Sequence, residues 1–107
     1  MKDIEKIANE NIKNLIHTIR DKQVIVDSDI AKLYEIPTKA LNQAVKRNSE
    51  RFPEDFMFQL NTTEKDELVT NCDHLSNLKF SPQLPYAFTE QGVAMLSGVL
   101  RSKRVDK

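Results

Sequence analysis

A chain of 107 residues that is 39% hydrophobic and 30% charged, with two glycines and four prolines, has the make-up of one ordered domain with a single core, which excludes disordered and collagen-like polymers. Sixteen basic and sixteen acidic residues cancel to a formal net charge of zero, which argues against a protein that coats nucleic acid indiscriminately. No apolar run approaches the roughly 18 residues of a membrane span, the start MKDIEKIANE is unlike a secretory signal, and the lone Cys72 has no partner for an internal disulfide, so the cytoplasm is the default compartment.

Residues 1–18 open the chain with Ile4, Ile7, Ala8, Ile12 and Leu15 at helical spacing among polar residues, the pattern of an amphipathic N-terminal helix. Apolar or β-branched runs at 15–20 and 23–26, separated by Asp21 and Lys22, predict a short hairpin despite the lack of a turn glycine. Asp27 and Ser28 offer cap oxygens for a short helix bearing Ile30, Ala31, Leu33 and Tyr34, which Pro37 ends. Thr38 is expected to cap a second helix that runs to about Arg51, where Phe52-Pro53 stops it. The run FMFQL (56–60) reads as a strand, and Thr62 or Thr63 as the cap of a third helix, EKDELVTN. Residues 72–85 read as a loop and Tyr86–Phe88 as a strand. Thr89 then opens a last helix with an apolar stripe of Val93, Leu96, Val99 and Leu100, in which Gly92 and Gly98 are expected at close packing contacts. The fold class is α+β: a helix-turn-helix core with a short β-hairpin or small antiparallel sheet and flanking helices, in one compact domain whose body is 19–102 and whose residues 103–107 form a basic tail.

The zero net charge hides an uneven distribution. Residues 38–52 carry Lys39, Lys46, Arg47 and Arg51 against Glu50, a net +3, while residues 53–100 carry Lys65 and Lys79 against seven acids, a net −5. On a helical wheel at 100° per residue, Ala40, Leu41, Ala44 and Val45 share one arc. Lys39, Gln43 and Lys46 lie opposite, with Asn42 and Arg47 at the edges.

The turn Glu35-Ile36-Pro37 has the length that joins the two helices of a helix-turn-helix, and the small Ala31 suits their closest approach. The outer arc therefore has the chemistry of a recognition helix. Cations donate to guanine O6 and N7, and amides make paired hydrogen bonds to adenine. The candidate DNA-binding residues are Thr38, Lys39, Asn42, Gln43, Lys46, Arg47 and Arg51, with Lys39, Asn42, Gln43 and Lys46 assigned to base edges, Arg47 and Arg51 mainly to phosphates, and Glu50 beyond the DNA edge, paired with Lys46. An ordinary solvated helix would also be polar outside, but it would not combine the short turn, the small residue and a basic-plus-amide face on an otherwise acidic domain.

Other chemistries are weaker. A nuclease would need carboxylates such as Asp27, Asp29, Glu54 and Asp55 to converge, and capping already accounts for Asp27. Cys72 and His74 have the spacing of two metal ligands, but only His17 remains as a further soft donor where a structural zinc needs four. No enzymatic activity, metal, cofactor, small-molecule substrate or membrane partner is expected. The expected partner is double-stranded DNA, and since one recognition helix spans few base pairs, a homodimer is a natural arrangement. The rival reading is a protein-interaction module whose acidic surface between 53 and 100 meets a repressor, a sibling subunit or a C-terminal domain of its own parent protein.

The runs IRDKQVIVDSDIAKLYEIPTKALNQAVKRNSERFPEDFMFQL and LPYAFTEQGVAMLSGVLRS also resemble the phage "Orf-six" N-terminal domain, a relative of the KilA-N and Bro-N domains of bacteriophages and large DNA viruses. The matching elements include Val26 to Asp29, Leu33-Tyr34, Thr38-Lys39, Leu41-Asn42, Ala44 to Asn48, Arg51 to Pro53 and Ala87 to Gly92. The resemblance implies a non-catalytic DNA-binding domain of phage or prophage regulators in bacteria, including antirepressor-like proteins. Members usually carry Gly after the Leu-Tyr pair, where Glu35 stands here, and commonly continue into a further helix or C-terminal domain, so the chain reads as a candidate fragment of a longer protein.

Overall fold

The computed structural model describes residues 14–105, the last five as backbone alone. The amphipathic stretch expected at 1–18 falls largely outside that range.

The first described elements are β1 (His17–Ile19) and β2 (Lys22–Val26), paired antiparallel with His17 opposite Val24 and Ile19 opposite Lys22. The turn falls one residue earlier than the sequence suggested, on Arg20 and Asp21, both left-handed with φ of 55° and 63°. Two positive-φ residues make the turn whose twist matches that of the strands, normally a position for Asn-Gly. Holding Arg20 there costs about 1 kcal/mol. Its side chain recovers part of this: the guanidinium donates to both Glu64 carboxylate oxygens, at 2.8 and 3.0 Å, and lies 4.4 Å above the Phe58 ring.

A four-stranded antiparallel sheet is completed by β3 (Met57–Gln59) and β4 (Tyr86–Phe88), in the order β1-β2-β4-β3. Side chains alternate across it. Ile25 and Phe88 face one core with Ile30, Leu41, Leu96 and Leu100, whereas Val24, Val26, Ala87 and Phe58 face a second with Leu60, Leu68 and Leu75.

The first core is covered by α1 (Asp27–Leu33), α2 (Thr38–Arg47) and α4 (Glu90–Val105), with Phe52 edge-on to Phe88 at 6.1 Å. The second is covered by α3 (Thr62–Asn71) and by a 3₁₀ segment, Asp73–Phe80, in the stretch expected to be a loop. Leu75 and Leu78, three residues apart, share a face of that segment and pack into the second core. The fold is α+β, as expected.

Several boundaries differ from the sequence reading. Asn61, not Thr62 or Thr63, caps α3: its side chain accepts from Glu64 N at 2.8 Å while the Glu64 carboxylate accepts from Asn61 N at 2.9 Å, a reciprocal capping box. Thr89 does open α4, its hydroxyl accepting from Gly92 N at 3.3 Å and donating to Asp55 O at 2.7 Å. That bond seats the helix start on the turn before β3. A Cβ on Gly92 would run into the Phe56 carbonyl oxygen, so this glycine marks a close approach; a Cβ on Gly98 would meet nothing within 4 Å among the described residues, where a close contact was expected. The α4 backbone continues to Val105, into the stretch read as a tail. Among the described residues no helix is long and apolar enough to cross a membrane.

Candidate nucleic-acid interface

The junction of α1 and α2 is set by one left-handed residue. Ile36 N donates to Ala31 O at 3.0 Å and Glu35 N to Lys32 O at 3.1 Å, the paired bonds of a Schellman motif, with Glu35 at φ 56° where glycine is usual. The turn geometry survives the substitution of glycine. Pro37, which disfavours a helical conformation at Ile36, takes the N-cap position of α2 at φ −65°, ψ 146°. Thr38 is therefore the first helical residue and not the cap, and no side chain caps the first turn of α2.

α2 is amphipathic in the sense expected. Leu41, Ala44 and Val45 are buried, and Lys39, Gln43, Lys46 and Arg47 are exposed. The helix is shorter than the expected 38–51. Asn48 ends it, donating from its side chain to Ala44 O at 2.8 Å, and Ser49–Arg51 form a separate 3₁₀ turn. Arg51 is exposed on that turn, off the helix. Glu50 goes with it, and among the described ion pairs none joins it to Lys46.

Thr38, Lys39, Asn42, Gln43 and Lys46 line one open groove of ≈ 760 Å³. The opposite wall was not anticipated: it is the chain from Leu78 through Ser81 and Gln83 to Tyr86, in the stretch to which the sequence reading gave no role. Arg47 and Arg51 stand outside this groove. Nine residues after Thr38 on a helix of about 100° per residue, Arg47 lies at the far edge of the exposed face.

Asp27 sits at the groove floor and does more than cap. It is 4% exposed; Oδ1 accepts from Ser28 N at 2.7 Å, and Oδ2 accepts from Asn42 Nδ2 at 3.0 Å and from Tyr86 N at 3.3 Å. Val26, not Asp27, is the formal N-cap of α1. One carboxylate thus ties α1, α2 and β4 together, and it fixes the half-buried Asn42 amide through one N–H, with no hydrogen bond to its oxygen among the described residues. Burial pushes the Asp27 carboxyl above the ordinary Asp range, against the pull of the N–H groups from Asn42, Tyr86 and Ser28.

The residues weighed for other chemistries are dispersed or engaged. Asp29 is 2% exposed and meets His74 Nε2 at 3.1 Å, Asp55 pairs with Lys22 at 3.3 Å, and Glu54 is exposed. Cys72 Sγ lies 3.6 Å from His17 Nδ1, with burial pushing the thiol up and the imidazole down in pKa. Both shifts favour the neutral forms, the opposite of an activated thiolate. Among the described residues no group of three or more His, Cys, Asp or Glu is arranged to hold a metal ion.

No curated protein and no solved structure matches the chain. The profile of one family, the ORF6N domain, matches residues 14–99, which takes in the whole sheet, the groove and both its walls. With most of its length in that match, the chain belongs to the ORF6N domain family, a phage-type domain.

Proposed function

We propose that this domain binds duplex DNA without catalysis, laying the outer face of α2 in the major groove, and that it serves a phage- or prophage-derived regulator of the antirepressor-like kind in the bacterial cytoplasm. The observation that carries the reading is the shared groove of Thr38, Lys39, Asn42, Gln43 and Lys46 on a helix whose other side is buried. Donors and acceptors of this kind, at the N-terminal part of a second helix after a tight turn, suit base edges. Arg47 and Arg51, outside the groove and exposed, suit the flanking phosphates. The uncapped first turn of α2 adds N–H groups at the positive end of its dipole, which favour an anion. Pairing of two copies on a symmetric site is part of the proposal, and a sedimentation experiment with and without duplex tests it.

The decisive measurement is fluorescence anisotropy of a labelled random-sequence duplex as salt is raised. Affinity is expected to fall steeply with salt, Arg47→Ala to lower the salt slope by about 1, and Lys46→Ala to weaken binding, both with the melting temperature unchanged. A domain that works only through its acidic surface on a protein partner would show no duplex affinity even at low salt. That result would overturn the reading.

A further inference from the structure

The groove has two walls, and only α2 is used by the function proposed above. The segment that supplies the other wall also carries, between the lining residues Leu78 and Ser81 but outside the groove itself, the most exposed large hydrophobic side chain among the described residues, Phe80, at 81% relative exposure. Such a ring gives the fold almost nothing, yet the backbone beneath it is firmly held. The Lys65 ammonium, itself 8% exposed, donates to Ser81 O at 2.6 Å; Gln59 Nε2 donates to Leu84 O at 3.0 Å; and Leu60 N donates to Pro85 O at 2.9 Å. A tip pinned on its C-terminal side in this way presents its aromatic ring from a defined place.

The charge pattern points the same way. Residues 53–100 carry seven acids and only two Lys or Arg residues, Lys65 and Lys79. Lys65 is buried and spent on Ser81, so the one exposed Lys or Arg of this acidic half is Lys79, whose ammonium is 5.8 Å from the centre of the Phe80 ring. Leu78 and Ser81, one 3₁₀ turn apart, line the groove, and Lys79 and Phe80 lie between them in sequence, on the other faces of that turn at the groove's edge. An aromatic ring beside a cation is a pair suited to a nucleic-acid strand, the ring stacking on sugar or base and the cation meeting a phosphate.

We infer that Lys79 and Phe80 form a second DNA-contacting element, which grips the backbone and sugars of the same duplex beside the stretch that α2 enters. This rests on the DNA-binding reading and adds a contact that helix-turn-helix geometry alone does not require. The chemistry of the pair and its place select the occupant: Lys79, the only exposed Lys or Arg of residues 53–100, adjoins with Phe80 the residues Leu78 and Ser81 that line the groove, whose other wall carries Lys39 and Lys46.

The chain contains no tryptophan, so Phe80→Trp places a single fluorophore at an exposed site and leaves both cores untouched. On adding duplex at low salt, its emission should change and become shielded from acrylamide as anisotropy reports binding. Phe80→Ala should weaken binding roughly fivefold or more, and Lys79→Ala should lower the salt slope by about 1. If the tryptophan stays fully open to acrylamide in the bound complex and Phe80→Ala binds like the parent, the second contact is refuted, while loss of affinity in Lys46→Ala would still uphold the role of α2. If the parent chain does not bind duplex at low salt, both proposals fail.

Discussion

The two faces of the sheet are covered by different kinds of structure. On the side of Ile25 and Phe88, α1, α2 and α4 bury apolar stripes against one another and the strands. On the side of Val24, Val26 and Ala87, α3 and a 3₁₀ segment cover a smaller apolar cluster and lean on polar ties: Arg20 to Glu64, Asn61 to Glu64, and Lys65 to Ser81 O. Apolar burial contributes about 25 cal/mol per Å² and demands little direction, whereas each polar tie has a net worth of about 1 kcal/mol and depends on its geometry. The helical face is thus the firm base of the groove, and the 3₁₀ face is expected to open first under native conditions.

The severest way to break this contrast is Gly92→Ala. A methyl group directed at the Phe56 carbonyl must displace backbone, and a loss of about 3 kcal/mol is expected in urea unfolding, at the upper end of overpacking costs. A near-neutral result would mean that α4 is not seated on the turn before β3 as described. Asn61→Ala is milder, about 1 kcal/mol for a lost cap, and should raise amide exchange in α3 and the 3₁₀ segment ahead of α1, α2 and α4. Equal acceleration on both faces would erase the distinction between them.

The smallest effect is a difference of sign with pH. The Arg20 guanidinium, chiefly through its hydrogen bonds, holds Glu64 below the ordinary Glu range; its contribution to the 3₁₀ face is present above the unfolded pKa and is lost as the pH falls through the lower folded value. Asp27 behaves oppositely, because burial raises its folded pKa. Its contribution is fully present below the unfolded pKa and is lost as the pH rises through the folded value. Mild acid should therefore loosen the 3₁₀ face relative to the helical face, which exchange data corrected for intrinsic rates would reveal. Asp27→Asn should remove the part that acts on the helical face.

What the sequence made legible follows the same division. The stripes of α2 and α4 repeat along a single element, so Leu41, Ala44, Val45, Leu96 and Leu100 could be placed by spacing alone, and so could the polar face that lines the groove. The turn was legible too, because its length and Pro37 are local signals. The caps were harder. Asn61, Thr62 and Thr63 are all competent, and what decides among them is Glu64, three residues after Asn61, a pattern open to reading that the threonines obscured. The 3₁₀ segment hides because its apolar residues repeat every three positions over too short a run to stand out.

The role of Asp27 could not be read locally at all. Its partners Asn42 and Tyr86 are 15 and 59 residues away, and only the folded sheet brings them to one carboxylate. The second wall of the groove escaped for the same reason.

Strand β4 gives the groove a property that neither wall has alone. Its residues alternate between compartments: Tyr86 packs against the first core with Phe88 and also reaches the groove, while Ala87 enters the second core. Both walls meet at this strand: α2 is tied to it through Asp27 and the Tyr86 amide, and the opposite segment runs directly into it, held just before it by Leu60 N on Pro85 O. The gap between them behaves like a fixed calliper: its jaws are set by strand pairing, and a one-residue slip of β4 would throw Phe88 and Ala87 into the wrong layers. A receptor with its opening set in advance spends little freedom on closing around what it holds, and it rejects by shape whatever is too wide.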